Sequence, residues 1–527
     1  MRESLGSRGW TTLGFGTLAA FAIVCGAAFR FTGLGAKIYS HDEAYTSLRA
    51  AGYDANDVFA AVWDAQDRRI DEVRRFLEPG ADRTISHTVS SLALEPHQGP
   101  LFFILEHYWM RFAGYSPAAM RALAAIIGLL AVPAMYWFAT EQFRSFTAAV
   151  LSTLFLATSP YYILFSQDAR PYSLLVLTTL LSSAALLRAL RCNTVRSWIA
   201  YALTLILGIY SHELFAMVAM AHAVYFAWIT IDRIRQRDVP IRQSLAGFLS
   251  ASLVAVVAWW PWLSLLLRRR DRAAALMEWA NVQVSWSQYI RNWLTIWSSP
   301  FIDFPLPIPE LAYLLRALVL GFIAIALVSV ARHCTVSRWL LPALVFIGFG
   351  AVLLLPDLIH GGIRSTSGRY YAAALIFTIV GVSCFLAIRL HSGLATDRRN
   401  AMVLVSVLLF GQIASDVRSL RAPSWWNKRL SAINVDFVRT VNQDDVLLIV
   451  TNNRPTTLGD ILLLSLEVDR DMHIRLQGEA GTDPAADSGR RVYWFANAPE
   501  EVAESMAAHN FRTTRLAPNL WRIEADD

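Results

Sequence analysis

The sequence predicts an all-α polytopic membrane protein with a small α/β domain at its C-terminal end, and three observations lead there. Of 527 residues, 55% are hydrophobic and only 17% charged, and the mean hydropathy of +0.39 exceeds that of an ordinary soluble domain. About eleven apolar runs approach the roughly 20 residues that a helix needs to cross about 30 Å of hydrocarbon. After about residue 417 the runs stop and the composition becomes that of a small soluble domain. A soluble enzyme, a disordered hub and a secreted disulfide scaffold are thereby excluded. The four cysteines, Cys25, Cys192, Cys334 and Cys384, lie in apolar runs or beside short basic loops and define no disulfide framework. The net charge of +6 does not indicate a nucleic-acid partner, because the arginines punctuate apolar runs instead of forming one patch.

The runs lie near 11–32, 118–140, 146–165, 172–190, 197–211, 213–231, 244–267, 311–331, 339–355, 370–390 and 400–416. The first continues to Phe31 without a cleavage site and reads as a retained anchor. Cytoplasmic loops carry the positive excess. With the N-terminus inside, alternate turns hold Arg144, then Arg188, Arg191 and Arg196, then Arg233, Arg235, Arg237 and Arg242, then Arg332 and Arg338, then Arg398 and Arg399. A long loop over 268–310, with Arg268, Arg269, Arg270 and Arg272, falls outside, where the rule is weak for long loops. The domains expected are thus 1–416 in the membrane, with 33–117 as the first outer loop, and 417–527 outside it.

The first outer loop is far longer than a connector needs to be, and such loops usually carry function. Within it Phe59, Val62, Trp63, Ile70, Val73 and Leu77 recur at near-helical spacing against Asp64, Asp67, Arg68, Asp71 and Arg75, the pattern of a helix lying in the membrane interface. Residues 101–112 are apolar but short and interrupted by Glu106 and His107, which predicts a second interfacial or re-entrant helix. Beyond 417, residues 446–450 and 492–495 read as buried strands and 457–466 and 499–509 as helices. Asn434 and 478–489 read as loops. There is no internal repeat.

Four polar clusters sit at run ends, all on the outer face by the arginine count. The first is Ser40-His41-Asp42-Glu43-Ala44-Tyr45. Asp42 suits a helix N-cap and Glu43 a first turn; a partly desolvated carboxylate there also suits a general base taking a proton from a sugar or lipid hydroxyl. The second is Ser166-Gln167-Asp168-Ala169-Arg170-Pro171-Tyr172, where Asp and Arg at a membrane boundary are costly unless paired or used. Arg170 there is either an ion-pair or snorkelling residue or a phosphate ligand. Tyr210-Ser211-His212-Glu213 forms the third cluster. The fourth is Arg364-Ser365-Thr366-Ser367-Gly368-Arg369-Tyr370-Tyr371, in which Arg369 and neighbouring hydroxyls suit either an interfacial anchor or a phosphate site. Anchors scattered by chance would populate both faces.

These residues resemble the GT-C superfamily of polyprenyl-phosphate-sugar-dependent glycosyltransferases, in its protein O-mannosyltransferase and lipid A aminoarabinose transferase branch. Asp42-Glu43 stands where the family has an Asp-Glu pair soon after the first span. His97-Gln98-Gly99-Pro100-Leu101-Phe102 is similar to a His-Pro-Pro-Leu-Tyr segment but departs from it at Gln98 and Gly99. Phe112-Ala113-Gly114 and Arg121-Ala122-Leu123 follow in the family's order. Ser166 to Tyr172 looks like Ser-Gln-Glu/Asp-Ala-Arg-x-Tyr, Tyr210-Ser211-His212 like Tyr-Thr-His, and Arg369-Tyr370 like an Arg-Tyr that opens a late span, without its usual prolines. The resemblance implies a GT-C fold, Asp42 as catalytic base with Glu43 in support, and Arg170, His212 and Arg369 at the donor phosphate. It brings His41, His97, Gln98, Asp168, Tyr172 and Tyr370 to the donor and acceptor pocket.

A polyprenyl phosphate is already a good leaving group, so one base is enough and no general acid is needed, unlike the paired carboxylates of glycoside hydrolases. Adjacent residues of a helix turn about 100° apart, so only one of Asp42 and Glu43 faces a given cavity. The expectation is an inverting transferase of the bacterial inner membrane, cytoplasmic at its N-terminus and periplasmic at its C-terminal domain. It moves a single sugar to a lipid, glycan or protein hydroxyl. No cofactor is required and no metal cluster is readable, although Asp42 and Asp168 could share a divalent cation. The rivals are a polysaccharide polymerase or ligase with a diphosphate-linked donor, which the 268–310 loop keeps open, and a transporter, which predicts charges near the bilayer midplane in repeated halves. A structural or sensory membrane protein is the remaining alternative.

Overall fold

The computed structural model describes residues 9–236, 241–271, 280–303, 306, 308–424, 435, 437–442, 446–451, 454–477, 491–495, 511–517 and 520–525. Asn434, the 478–489 loop and the 499–509 helix expected from the sequence lie outside the described residues, as do Arg237 and Arg272. The chain divides into two units. One comprises Met1–Thr32, Glu95–Phe102 and Ala122–Arg421, the other Gly33–Leu94, Phe103–Arg121 and Ala422–Asp527. The first outer loop therefore groups with the C-terminal residues, whereas composition alone drew a single boundary at 417.

Seven described helices, six of them wholly in the first unit, are long and apolar enough to cross a membrane: Pro117–Phe143, Tyr172–Cys192, Phe215–Arg235, Ile241–Arg268, Pro309–His333, Val336–His360 and Ala395–Leu420. Three further expected runs form shorter apolar helices, Ala20–Phe31, Val195–Ser211 and Ile376–Leu390. The run at 146–165 is broken into Phe146–Ala157 and Pro160–Ser166, bent by 55°. Pro160 has no N–H to continue the first helix and sits at the start of the second.

A break at membrane depth frees carbonyls that lipid cannot satisfy, so the protein must. Two buried side chains do this. Arg30 donates to Ala157 O at 2.6 Å, Leu156 O at 3.2 Å and Ser166 Oγ at 3.2 Å. Gln412 donates to Phe155 O at 3.0 Å and Pro300 O at 2.8 Å, and accepts from Thr158 Oγ1 at 2.7 Å. Gly26 makes the approach feasible, because a Cβ there would collide with Ala157 O.

The second unit is built on a six-stranded mixed sheet of order β1-β3-β2-β4-β6-β5. Its strands are β1 (Asp67–Arg69), β2 (Val446–Val450), β3 (His473–Leu476), β4 (Arg491–Phe495), β5 (Phe511–Ala517) and β6 (Leu520–Ala525). β2 runs parallel to β3 and β4, while β1, β5 and β6 pair antiparallel. Leu447, Ile449, Val492, Trp494 and Ile523 form the core of one face. β2, β4 and the helix Pro455–Glu467 match the expected elements within two residues.

The amphipathic stretch at 59–77 is not one helix. Asp54 caps a helix that runs only over Ala55–Val62, accepting from Asn56 N at 2.7 Å. Ala65 takes a left-handed φ of 63° and the chain then pairs as β1, with Arg68 opposite Ile474. Val62, Ile70, Val73 and Leu77 are fully buried. The strand's partner lies some 400 residues downstream, so local periodicity carries no sign of it. The 101–112 segment does form a short helix, Pro100–Ala113.

Replacing Gln412 by Leu removes the side-chain donor to Phe155 O at the break, while Pro300 O keeps Ser159 Oγ and Thr158 Oγ1 keeps Leu154 O. The expected outcome is a loss of about 1–3 kcal/mol of stability, read as a lowered Tm of the detergent-solubilised protein.

Candidate active site

In the second unit the Asp42-Glu43 motif opens the helix His41–Ala50. Ser40, not Asp42, is the N-cap: its Oγ accepts from Glu43 N at 3.3 Å, and the Glu43 carboxylate accepts from Ser40 N at 2.9 Å, a reciprocal pair that ends the preceding loop and starts the helix. Glu43 is fully buried and gripped by Arg121 through two bonds, Nε to Oε1 at 2.7 Å and Nη2 to Oε2 at 2.9 Å. The remaining Arg121 N–H groups donate to the carbonyls of Leu34 at 2.8 Å, Lys37 at 2.8 Å and Ile38 at 3.0 Å. All five guanidinium donors are thus engaged.

One residue earlier on the helix, Asp42 keeps partial exposure. Glu43 is therefore an anchor that holds the turn, whereas Asp42 stays partly exposed. His41 packs on the Pro455–Glu467 helix, 3.7 Å from the Asp460 carboxylate, where a Cβ at Gly459 would collide with its ring. Glu467 of that helix accepts from Tyr39 N at 2.9 Å.

In the first unit His97, Gln98, Arg170, Tyr172, His212, Arg369 and Tyr370 come from four separate stretches. The turn at 97–99 lies flat on the backbone of Tyr210 to His212: a Cβ at Gly99 would stand 2.6 Å from Tyr210 O and 2.8 Å from His212 N. Glycine at this departure from the family pattern is what admits the contact. Trp262 Nε1 holds the turn from the other side by donating to Pro96 O at 3.0 Å. Asp168 and Arg170 are buried in the turn after Pro160–Ser166. Gln167 secures that turn through bonds to Phe29 O at 2.7 Å and Thr32 O at 2.9 Å.

His212 ends the helix Val195–Ser211 in an extended conformation. Its ring centroid is 5.8 Å from that of Tyr172, and its Nδ1 accepts from Leu214 N at 3.2 Å. Burial, then the charges of Arg170, His97 and Arg369, push its pKa down to about 3. The Arg170 and Arg369 guanidinium groups and His97 therefore share one neighbourhood with an imidazole that stays neutral. Burial pushes the Glu213 carboxyl up to about 8, so it adds no full negative charge there at neutral pH. Arg369 stands over Tyr370 at 5.3 Å, in a 3-10 turn, Gly368–Tyr371, held by Tyr161 Oη on Gly368 O at 2.6 Å and Tyr162 Oη on Ala372 O at 3.1 Å.

Residues 97–262 match the profile of the dolichyl-phosphate-mannose-protein mannosyltransferase family, and this stretch contains Arg170 and His212. The crystal structure of ArnT from Cupriavidus metallidurans bound to undecaprenyl phosphate has a similar fold over its whole length (TM-score 0.55, 13% identity, covering 98% of each chain). The apo state of that protein agrees (TM-score 0.52, 13% identity, 98% of this chain and 97% of that one). The chain therefore shares the fold of that protein. The archaeal oligosaccharyltransferase AglB from Archaeoglobus fulgidus is a more distant structural match (TM-score 0.48, 11% identity, 95% of this chain and 71% of that one). No curated protein sequence matches.

Within the chain, Asp42, Glu43 and His41 belong to the second unit and the cationic group with Asp168 to the first. Among the described residues no three His, Cys, Asp or Glu gather as a metal site. Three contributors went unrecognised in the sequence. Arg121 was noted only as part of a motif, although an arginine near the start of an apolar run already calls for a partner. Glu106 is fully buried and neither of its oxygens has a hydrogen-bond partner; burial, then Glu43, push its carboxyl well above the usual range. Inside the 268–310 loop, the helix Trp286–Ser298 presents Tyr289, Trp293 and Trp297 along one stripe. Tyr289 Oη bonds Gly362 O and Trp293 Nε1 bonds Ser365 Oγ at 3.2 Å, with Trp297 against Tyr371. That stripe braces the segment leading to Arg369, and its i, i+4 spacing was readable.

Removing Arg121 leaves the Glu43 carboxyl buried without its ion-pair partner. Arg121→Met is expected to cost about 3–5 kcal/mol, and the double change Arg121→Met with Glu43→Gln to recover part of that; thermal unfolding in detergent measures both.

Proposed function

We propose that the chain transfers a single sugar from a polyprenyl-phosphate carrier to a hydroxyl of a lipid, glycan or protein. The reaction inverts the anomeric centre on the periplasmic side of a bacterial inner membrane, with Asp42 as general base. The observation that carries the proposal is the gathering of His97, Arg170 and Arg369 around a neutral His212, a cationic setting suited to a phosphate group. The fold shared with an ArnT solved with undecaprenyl phosphate supports a polyprenyl phosphate as the carrier. The match of 97–262 to dolichyl-phosphate-mannose-dependent enzymes supports a monophosphate donor.

In this mechanism Asp42 takes the acceptor proton as the hydroxyl oxygen bonds to the anomeric carbon. The bond from that carbon to the phosphate oxygen breaks, and a phosphate diester leaves as a monoester whose added charge is held by Arg170 and Arg369. A neutral His212 donates or accepts one hydrogen bond there without competing for the phosphate's counter-charge. Glu43, engaged by Arg121, positions Asp42 and takes no proton. Such a transferase needs no cofactor, so chelating divalent cations leaves transfer intact.

Purified protein in nanodiscs with radiolabelled polyprenyl-phosphate sugars tests the assignments. Asp42→Asn is expected to bind donor like wild type and to release no polyprenyl phosphate in a native lipid extract; near-normal turnover would remove Asp42 from the role of base. Arg369→Ala is expected to weaken donor binding by about 1.5–3 kcal/mol, the scale of a charge-assisted hydrogen bond. Unchanged affinity returns Arg369 to an interfacial anchor. Failure of wild type to bind any monophosphate donor directs attention to diphosphate-linked oligosaccharides.

A further inference from the structure

A cavity of about 350 Å³ opens in the first unit at the helix ends remote from the cationic group just described. Tyr172 and Arg191 stand at opposite ends of the helix Tyr172–Cys192, which at about 1.5 Å per residue separates the two regions by about 30 Å. Arg144, Arg191, Arg233 and Arg338 line the cavity and Glu141 is its one carboxylate. Glu141 is already ion-paired with Arg191 at 2.8 Å and Arg188 at 3.6 Å, so the lining is strongly positive.

Arg144 and Arg338 have no side-chain partner among the described residues and are exposed. The first turn of the 25-residue helix Val336–His360 contributes Thr335, Ser337 and Arg338, which adds the positive end of a helix dipole. Gln142 supplies a separate sign of a ligand. It is 4% exposed; its Nε2 donates to Arg338 O at 2.7 Å and Ser337 O at 3.3 Å, and this fixes the amide's orientation. Its Oε1 is left buried with no donor, a condition that costs about 1–3 kcal/mol unless something fills it. Sequence neighbours of the lining residues, Phe146, Ile231, Ile234 and Val336, are exposed apolar side chains of the kind that face acyl chains.

We propose that this cavity binds the headgroup of an anionic glycerophospholipid that bears a free hydroxyl. The phosphate would lie among Arg144, Arg233 and Arg338 and the hydroxyl would donate to Gln142 Oε1. Basic pockets at helix ends bind anionic headgroups in this manner, and a hydroxyl satisfies the one acceptor that arginines leave unmatched. This site is independent of the sugar-transfer reading.

Native mass spectrometry of the full chain in detergent tests it, with phosphatidylglycerol, phosphatidylethanol, which has the same charge but no hydroxyl, and phosphatidylcholine as probes. Phosphatidylglycerol is expected to be retained most strongly and phosphatidylcholine least. Arg338→Gln with Arg144→Asn, the latter chosen because Arg144 has a left-handed φ of 52° that Asn tolerates, is expected to weaken phosphatidylglycerol retention tenfold or more. Gln142→Leu is expected to abolish the preference over phosphatidylethanol while keeping the charge preference. Equal retention by wild type and the double variant, or equal retention of all three lipids, would overturn the proposal. Competition by glycerol phosphate with no lipid retention overturns the lipid source in favour of a soluble phosphate ester.

Discussion

The guanidinium of Arg121 closes a stretch of chain that has no regular structure of its own. Three carbonyls of the loop before the helix His41–Ala50, those of Leu34, Lys37 and Ile38, need donors, and Arg121 bonds them together with the carboxylate of Glu43. Buried polar backbone demands such partners, and arginine is the side chain with donors enough to serve five acceptors at once. The position of Asp42 depends on this arrangement, because it rides on the turn that Glu43 caps and Arg121 grips.

The first unit uses the same device at a different place. Arg30 and Gln412 satisfy the carbonyls freed where Pro160 breaks a helix, and the residues immediately after that break, Gln167 to Tyr172, carry Arg170. In both units an irregular segment bearing a motif residue is made rigid by a fully buried long polar side chain whose own sequence position is remote. Rigid placement matters for the proposed chemistry, since donors and charges aligned beforehand need no reorganisation as the leaving group departs.

The electrostatics of the two regions differ in kind. Around His212 the local field is positive enough, and the burial deep enough, that the imidazole stays neutral, which suits a phosphate-binding neighbourhood. Around Glu43 the charges are matched within the structure, and the buried Glu106 nearby is pushed towards its neutral form. Asp42, in contrast, keeps partial exposure, as the proposed role of general base requires.

Much of this was legible in the amino-acid sequence. Apolar run length fixes which segments become long helices, because the hydrocarbon thickness sets the number of residues, and the motif residues Asp42, Arg170, His212 and Arg369 stood out as ionisable groups at run ends. Strands β2 and β4 were readable as short continuous apolar runs. What local sequence could not reveal were relations between distant residues. The 59–77 stretch has helical spacing, yet β1 forms because its backbone partner lies in β3; Glu43 looked like a companion of Asp42, and only Arg121 makes it an anchor; Gly99 looked like a departure from a motif, and only the backbone of Tyr210 to His212 shows why no Cβ fits. Periodicity and propensity are properties of neighbours along the chain, whereas pairing, burial and steric exclusion are properties of neighbours in space. The sequence by itself thus determined the membrane class and the chemical inventory, and the tertiary structure decided that Glu43 is the carboxylate held by Arg121, because only proximity in space could pair them.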